Sequence, residues 1–365
     1  MKKLMVAAVA ATMASASMAD ISIKGDAYLQ YADQGIARSG SKTVNAKRVN
    51  LNVVGKSGST TVVASFRTDD KDANRSGASN LHQFYITTKV GPVNIKAGDF
   101  YSTIGLGAWS KGGKSTDALS LSTKVGPVTL GIYTTNGGEV DTIEGKNVTT
   151  GTGTTAKTVV EYTPVTKTIA STTHISIAAD IAGAKVKIIN NPKAKWTNLS
   201  AKGTFGGILV AAEHHKQKAA GTNAEQKVTL LHVGGKVGAV KWDVAQYKNK
   251  DVAAGTNAKL APLGSMLVGG GARGGTATAV ANVNDFSKIL GVAVSAKVAG
   301  NTLKVIYTKN TLNAGGFADK LTGAELILTR AISSGKLTAN LGKISGGDDD
   351  SMNSTNRGVR FDVKF

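Results

Sequence analysis

Cations carry most of the chemistry this sequence offers. It holds 44 Lys and Arg against 24 Asp and Glu in 365 residues, a formal charge of +20, and a surplus of that size draws anions. Position adds to number. With the apolar members of each alternating segment assigned to one face, Arg48, Arg67, Lys89, Lys96, Lys124, Lys185, Lys187, Lys202, Lys241, Lys297, Lys304 and Arg360 fall on the other, with few acidic neighbours. Around a narrow water-filled passage with low-dielectric walls, such side chains focus a positive field and lower the barrier to anions. Near strand ends the same residues would simply meet lipid head groups. Nucleic acid is a poor match, because the lysines are spread evenly and no basic stripe is interleaved with stacking aromatics.

Catalytic and metal-binding patterns are not found in the sequence. It has no Cys, so thiolate metal sites and disulfides are excluded. His214 and His215 are the one adjacent histidine pair, and neighbours on a strand point to opposite faces, which prevents them from sharing a metal ion. His82, His174 and His232 stand apart, and no nucleophile elbow occurs. GLGAWSKGGKST, from Gly105, is like a phosphate loop, yet five residues separate Gly107 from Gly113 where the motif has four, and an alternating segment follows where a helix is needed. The expectation is therefore no enzyme, no cofactor and no metal, with Lys111 and Lys114 as free positive charges on a polar loop.

The elements that must position these cations alternate with period two almost throughout. In ISIKGDAYLQYAD, from Ile21, the residues Ile21, Ile23, Gly25, Ala27, Leu29 and Tyr31 share one face, and Ser22, Lys24, Asp26, Tyr28 and Gln30 the other. High Gly (44) and low Pro (5), with much Thr, Ser, Asn and Val, agrees with strands and many turns. The segment KVGPV occurs at Lys89 and again at Lys124, with GKVGAV at Gly235, and each copy reads as a tight reversal between neighbouring strands. Eight such short connections alternate with longer polar ones, including the stretch from about Asp251 to Asp285. Tight turns at one end and long loops at the other describe a transmembrane antiparallel up-and-down β-barrel, whose strands need only about 9 to 11 residues each to cross a bilayer. Eight hairpins with a first and a last strand make 18 strands. The count falls to 16 if the region from Lys157 holds one strand instead of two.

The chain begins MKKLMVAAVAATMASASMAD, a basic head, a short apolar core and a small-x-small site. We read residues 1–19 as a secretory signal peptide and 20–365 as the barrel. At the other end Val359, Phe361, Val363 and Phe365 alternate with Arg360, Asp362 and Lys364. This closing strand, ending on Phe, resembles that of the Gram-negative outer-membrane porins, in which it is the signal read by the barrel-assembly machinery; Phe361, Val363 and Phe365 are the matching residues. The resemblance covers the whole mature chain. It implies a homotrimeric diffusion pore of 16 strands in outer-membrane lipid and lipopolysaccharide, with short periplasmic turns, long external loops, and a third loop folded inward to narrow the passage. That constriction loop would be 99–117. It lacks the acidic character common in the family and carries Lys111 and Lys114, which favours small anionic or hydrophilic solutes. The residues expected to line the pore or select anions are Arg48, Arg67, Lys96, Lys111, Lys114, Lys124, Lys187, Lys202, Lys241 and Arg360. The competing expectation is a secreted or surface-attached β-rich adhesion or structural protein without a pore.

Overall fold

The protein is described from a computed structural model, which covers residues 20–36, 40–43, 45–68, 80–108, 114–136, 138–150, 157–169, 171–218, 225–250, 262–267, 286–312, 320–346 and 353–365. The expected signal peptide and Lys111 lie outside these residues. Strand β1 (Asp20–Ile36) and the short β2 (Gly40–Thr43) precede the hairpins β3 (Ala46–Ser57) with β4 (Thr60–Thr68), β5 (Asn80–Val90) with β6 (Val93–Tyr101), and β7 (Lys114–Val125) with β8 (Val128–Thr135). A further hairpin, β9 (Gly138–Thr150) with β10 (Lys157–Ile169), pairs only with itself. Then come β11 (Thr172–Ile181) with β12 (Ala184–Asn191), β13 (Trp196–Phe205) with β14 (Ile208–Lys218), and β15 (Glu225–Val237) with β16 (Val240–Lys250). The chain finishes through β17 (Phe286–Val298) with β18 (Asn301–Leu312), β19 (Lys320–Ile332) with β20 (Gly335–Ser345), and β21 (Ser354–Lys364).

The large sheet is antiparallel and closes on itself. β8 pairs with β11 across the β9–β10 hairpin, and β21 pairs with β1 from Asp26 opposite Lys364 to Ile36 opposite Ser354. β2 only extends β1 at its loop end, which leaves a closed barrel of 18 strands. That is the number the hairpin count yields. The 16 implied by the porin resemblance is corrected: the region from Lys157 does hold two strands, but only β11 of them enters the ring.

Local chemistry explains the reversals. Gly91 and Gly126, from the two KVGPV copies, have φ of 56° and 58°, and Gly238 of GKVGAV has 58°. Nothing stands near the place a Cβ would take at any of them, so it is the left-handed backbone of the tight turn that calls for glycine there. Outside, the apolar face is exposed, as at Ile23, Ile177, Val292 and Leu341. Closure removes every edge and pairs the backbone groups that face that apolar belt.

The buried apolar core sits inside the ring. Val228, Leu230, Tyr247, Ile289, Ile306, Leu321 and Ile344 point inward from β15 to β20 and pack with Ala108, Leu263, Met266 and Leu267 from two loops. The simple expectation of one apolar and one wet face therefore fails on this wall. Loops that fold into the lumen need apolar partners as well as polar ones.

Candidate functional site

Among the described residues two loop segments enter the barrel, and each is received by a carboxylate on the inner wall. The first lies in the connection from β6 to β7, of which residues 102–108 are described, and both strands run into the expected 99–117. Leu106 and Ala108 donate their backbone N–H groups to Glu213 Oε2 at 2.6 and 2.9 Å. Glu213 lies on β14, with β7, β8, β11, β12 and β13 between it and β6 in the sheet, so the loop reaches it only across the lumen. Asn198 Nδ2 holds the other oxygen at 2.7 Å. Gly105 adopts φ 61°, and a Cβ there would run into the Glu213 carboxylate. The glycine-rich segment that looks like a phosphate loop thus does cradle an anion, and that anion belongs to the protein itself.

The second inward segment, 262–267, lies in the long connection from β16 to β17, where the sequence suggests an external loop; for these residues that expectation is corrected. Glu325 on β19 accepts the Met266 N–H at 2.9 and 3.1 Å and the Ser265 hydroxyl at 2.9 Å. Gly264 has φ 62°, matching Gly105. Lys304 donates to the Leu263 carbonyl, and Asn356 donates to that of Met266 at 3.4 Å. The sequence GGGARGG from Gly269, expected from its lack of a strand-turn-helix setting to be an external loop, lies outside the described residues.

Among the described residues the loops pack against β14 to β20, and none packs against the opposite wall, from β21 through β1 to β12, which faces the passage. Arg48 and Arg360 flank the Tyr28 ring, their guanidinium carbons 5.5 and 3.6 Å from its centre. Lys96 Nζ stands 4.0 Å from the Tyr85 ring centre and 4.2 Å from that of Phe100. These rings continue in an inward arc, Phe100 to Tyr133 at 6.0 Å, Tyr133 to His174 at 5.2 Å, His174 to Trp196 at 4.7 Å and Trp196 to His215 at 5.4 Å. Cations resting on ring faces lose freedom to swing away, each contact being worth about 0.5–2 kcal/mol.

The other sequence candidates fall at two levels. Arg67 faces inward and bonds His82 at 2.8 Å, and His82 also meets the Tyr101 hydroxyl at 2.9 Å. Lys89, Lys124, Lys185, Lys202 and Lys297 are on the inward parity but near the short turns, so they ring that mouth, with Lys187 one inward position deeper than Lys185. Lys241 is paired with Asp243 at 3.0 Å, and Arg360 with Asp362 at 2.7 Å, so two of the candidates work against a neighbouring carboxylate. Lys114 begins β7 opposite Tyr101, and only its backbone is described. His214 points out and His215 in, while His232 bonds Asp243 at 3.0 Å. Among the described residues no group of His, Asp or Glu could hold a metal ion.

Glu213, Glu325 and the ring arc escaped sequence reasoning. A lone acid on the wet face of a basic barrel was the available signal: Glu213 and Glu325 are inward carboxylates amid cations, and each sits where an isolated charge needs donors.

No protein-family model matches the chain, and no curated protein is similar to it in sequence. Solved structures are similar in fold. A BenF-like porin from Pseudomonas fluorescens Pf-5 shares 12% identity at a TM-score of 0.62, over 95% of this chain and 98% of that one. Pseudomonas aeruginosa OccK2 (OpdF), in complex with glucuronate, shares 11% at 0.59 over 95% and 98%, and OpdK with vanillate from the same organism shares 8% at 0.58 over 94% and 99%. The chain thus has the closed 18-strand barrel fold of outer-membrane channels. At these identities it is the fold that is shared.

Proposed function

We propose that the protein is an outer-membrane channel that passes small hydrophilic solutes by diffusion and prefers anions, carboxylates foremost. The carrying observation is that the wall left open by the two inward loops presents Lys96, Arg48 and Arg360 seated on aromatic rings. A cation fixed in a narrow passage lowers the barrier to anions and raises it for cations, and nothing in the process requires a chemical step. Carboxylates suit guanidinium groups because both are planar and can bond twice. Two similar structures hold solutes of that class, vanillate and glucuronate. The closed ring with its outward apolar belt disfavours the adhesion-protein alternative, which has no use for a sealed barrel. Export through residues 1–19, assembly directed by Phe361, Val363 and Phe365, and a homotrimer belong to the same proposal.

Reconstitution of the refolded chain in a planar bilayer tests the reading. Stepwise conductance with a reversal potential of anion-selective sign across a KCl gradient is expected. Cation selectivity would refute the role of the basic wall, and folded, inserted protein without conductance would refute the channel.

A further inference from the structure

The outer surface of the barrel carries its own row of cations. Lys216, Lys227, Lys248, Lys288, Lys309 and Lys343 face outward from β14, β15, β16, β17, β18 and β20, all on the loop side of the apolar belt. Exposed apolar residues lie below them toward the short turns, among them Leu290, Tyr307 and Leu341, each two residues from a lysine of the row. Cross-strand register brings the members together. Lys216 is directly opposite Lys227, Lys248 directly opposite Lys288, and Lys309 opposite Leu290, one outward position from Lys288. At about 4.8 Å per strand the row runs for roughly 30 Å of the perimeter.

Single lysines at a membrane edge need no explanation beyond snorkelling. Directly opposed like charges do, because such pairs on a sheet repel and destabilise it unless a counter-charge lies between them. At one end that counter-charge is supplied internally: Glu225 contacts Lys216 and also Lys227, the latter at 2.8 Å. Glu225 lies at the loop end of β15, beyond the apolar belt, and its hydrogen bonds to Lys216 first and Lys227 second lower its pKa to about 2. No carboxylate pairs with Lys248, Lys288, Lys309 or Lys343 among the described residues. Outward cations at this edge are fewer on the other side of the barrel, where Lys47 on β3 and Arg357 on β21 stand, the latter paired with Asp33 at 2.9 Å. Around β4, β8, β11, β12 and β13 the outward position at the same edge is Thr68, Thr134, Thr173, Asn190 or Thr197.

We infer that the row from Lys216 to Lys343 is a docking site for lipid headgroups that carry two or more phosphates. This rests on the outer-membrane reading, which places the loop end of the belt against the outer leaflet. A phosphate set between Lys248 and Lys288 would do there what Glu225 does between Lys216 and Lys227, with the lipid chains lying along the apolar residues below. Several phosphates on one headgroup match a row better than a single charge, because each bridges a different pair of strands.

Native mass spectrometry of the refolded full chain in detergent tests the assignment, with titration by diphosphoryl lipid A, by the same lipid stripped of its phosphates, and by phosphatidylcholine. Diphosphoryl lipid is expected to stay bound. Its affinity should fall at least about tenfold when the phosphates are removed, and equally in the combined variant Lys248→Gln, Lys288→Gln, Lys309→Gln, Lys343→Gln. The same four positions changed to Arg should retain binding. Equal affinity for all three lipids, or full retention by the four-Gln variant, overturns the inference. Should that variant fail to fold, Lys248→Gln with Lys288→Gln removes the opposed pair that has no internal counter-charge, and unchanged binding there is equally fatal. Conductance measured in parallel separates the two readings. A chain that conducts but does not distinguish phosphorylated lipid sinks this inference alone, and one that binds such lipid without conducting sinks the channel alone.

Discussion

Phe365 closes the barrel on Gly25. The Gly25 N–H donates to the Phe365 carbonyl at 2.7 Å and the Phe365 N–H returns to the Gly25 carbonyl at 3.0 Å, while the phenyl ring occupies the space that a Cβ on Gly25 would need. The last residue and the sixth strand position of β1 thus form the final rung of the seam. Gly25→Val should push the ring away and cost about 1–3 kcal/mol of stability, the usual penalty of overpacking. Phe365→Ala in the same chain should recover part of that loss, because the two changes share one contact. Thermal unfolding followed by the heat-dependent shift in gel mobility measures both, and additive losses would show that the seam does not couple these residues.

The loops should loosen when their carboxylates are neutralised. Glu213→Gln must turn an amide NH2 toward either Leu106 and Ala108 or Asn198, and Glu325→Gln likewise loses an acceptor for Ser265 or Met266, each lost bond costing about 0.5–1.5 kcal/mol. Gly105→Ala should act like Glu213→Gln, through both its left-handed φ and its collision with the carboxylate. Single-channel records of all three are expected to show larger and noisier conductance with the barrel still folded. Unchanged, quiet channels would mean that the apolar packing of Leu106 and Met266 holds the loops without help.

Selectivity should follow the ring-seated cations. Lys96→Gln, and Arg48→Gln, should each lower the anion-to-cation permeability ratio by a factor of about five, the effect of removing roughly 1 kcal/mol of attraction at close range in a water-filled passage. Tyr28→Phe should preserve the ratio, because the ring face remains, and Tyr28→Leu should lower it by freeing Arg48 and Arg360. Lys124→Gln, at the short-turn mouth, should change the ratio least. A larger effect at Lys124 than at Lys96 would move the filter to the mouth.

Salt offers a check without mutation. Raising ionic strength from about 0.1 M to 1 M shortens the Debye length from about 10 to 3 Å. The anion preference measured as reversal potential should shrink steeply over that range, while conductance rises with ion concentration. A preference that survives 1 M salt would point to size or hydrogen bonding in place of the field.

How much of this was legible beforehand differs by element. The eight reversals could be placed because a tight turn favours small residues, most often one in the left-handed region, and a strand needs alternation, both of which are written within a few neighbouring positions. Gly91, Gly126 and Gly238 are where the repeated segment puts them. The same alternation assigned Arg48, Lys96 and Arg360 to the inner face. It misjudged the inner face of β15 to β20, since Val228, Leu230 and Ile289 are apolar toward the lumen too, and a period-two rule cannot tell a wall facing water from one facing a loop.

What neighbouring residues decide is strand, turn and face, because these depend on sterics and polarity within a few positions along the chain. The landing of one segment on another across a lumen depends on closure. Glu213 meets Ala108 from 105 positions away and Glu325 meets Met266 from 59, and neither pairing exists until 18 strands have joined and set which walls oppose each other. The same holds for the arc from Tyr85 to His215 and for the opposed Lys248 and Lys288. Their heights around the ring are set by cross-strand register, which the antiparallel ladder fixes only once β21 has found β1.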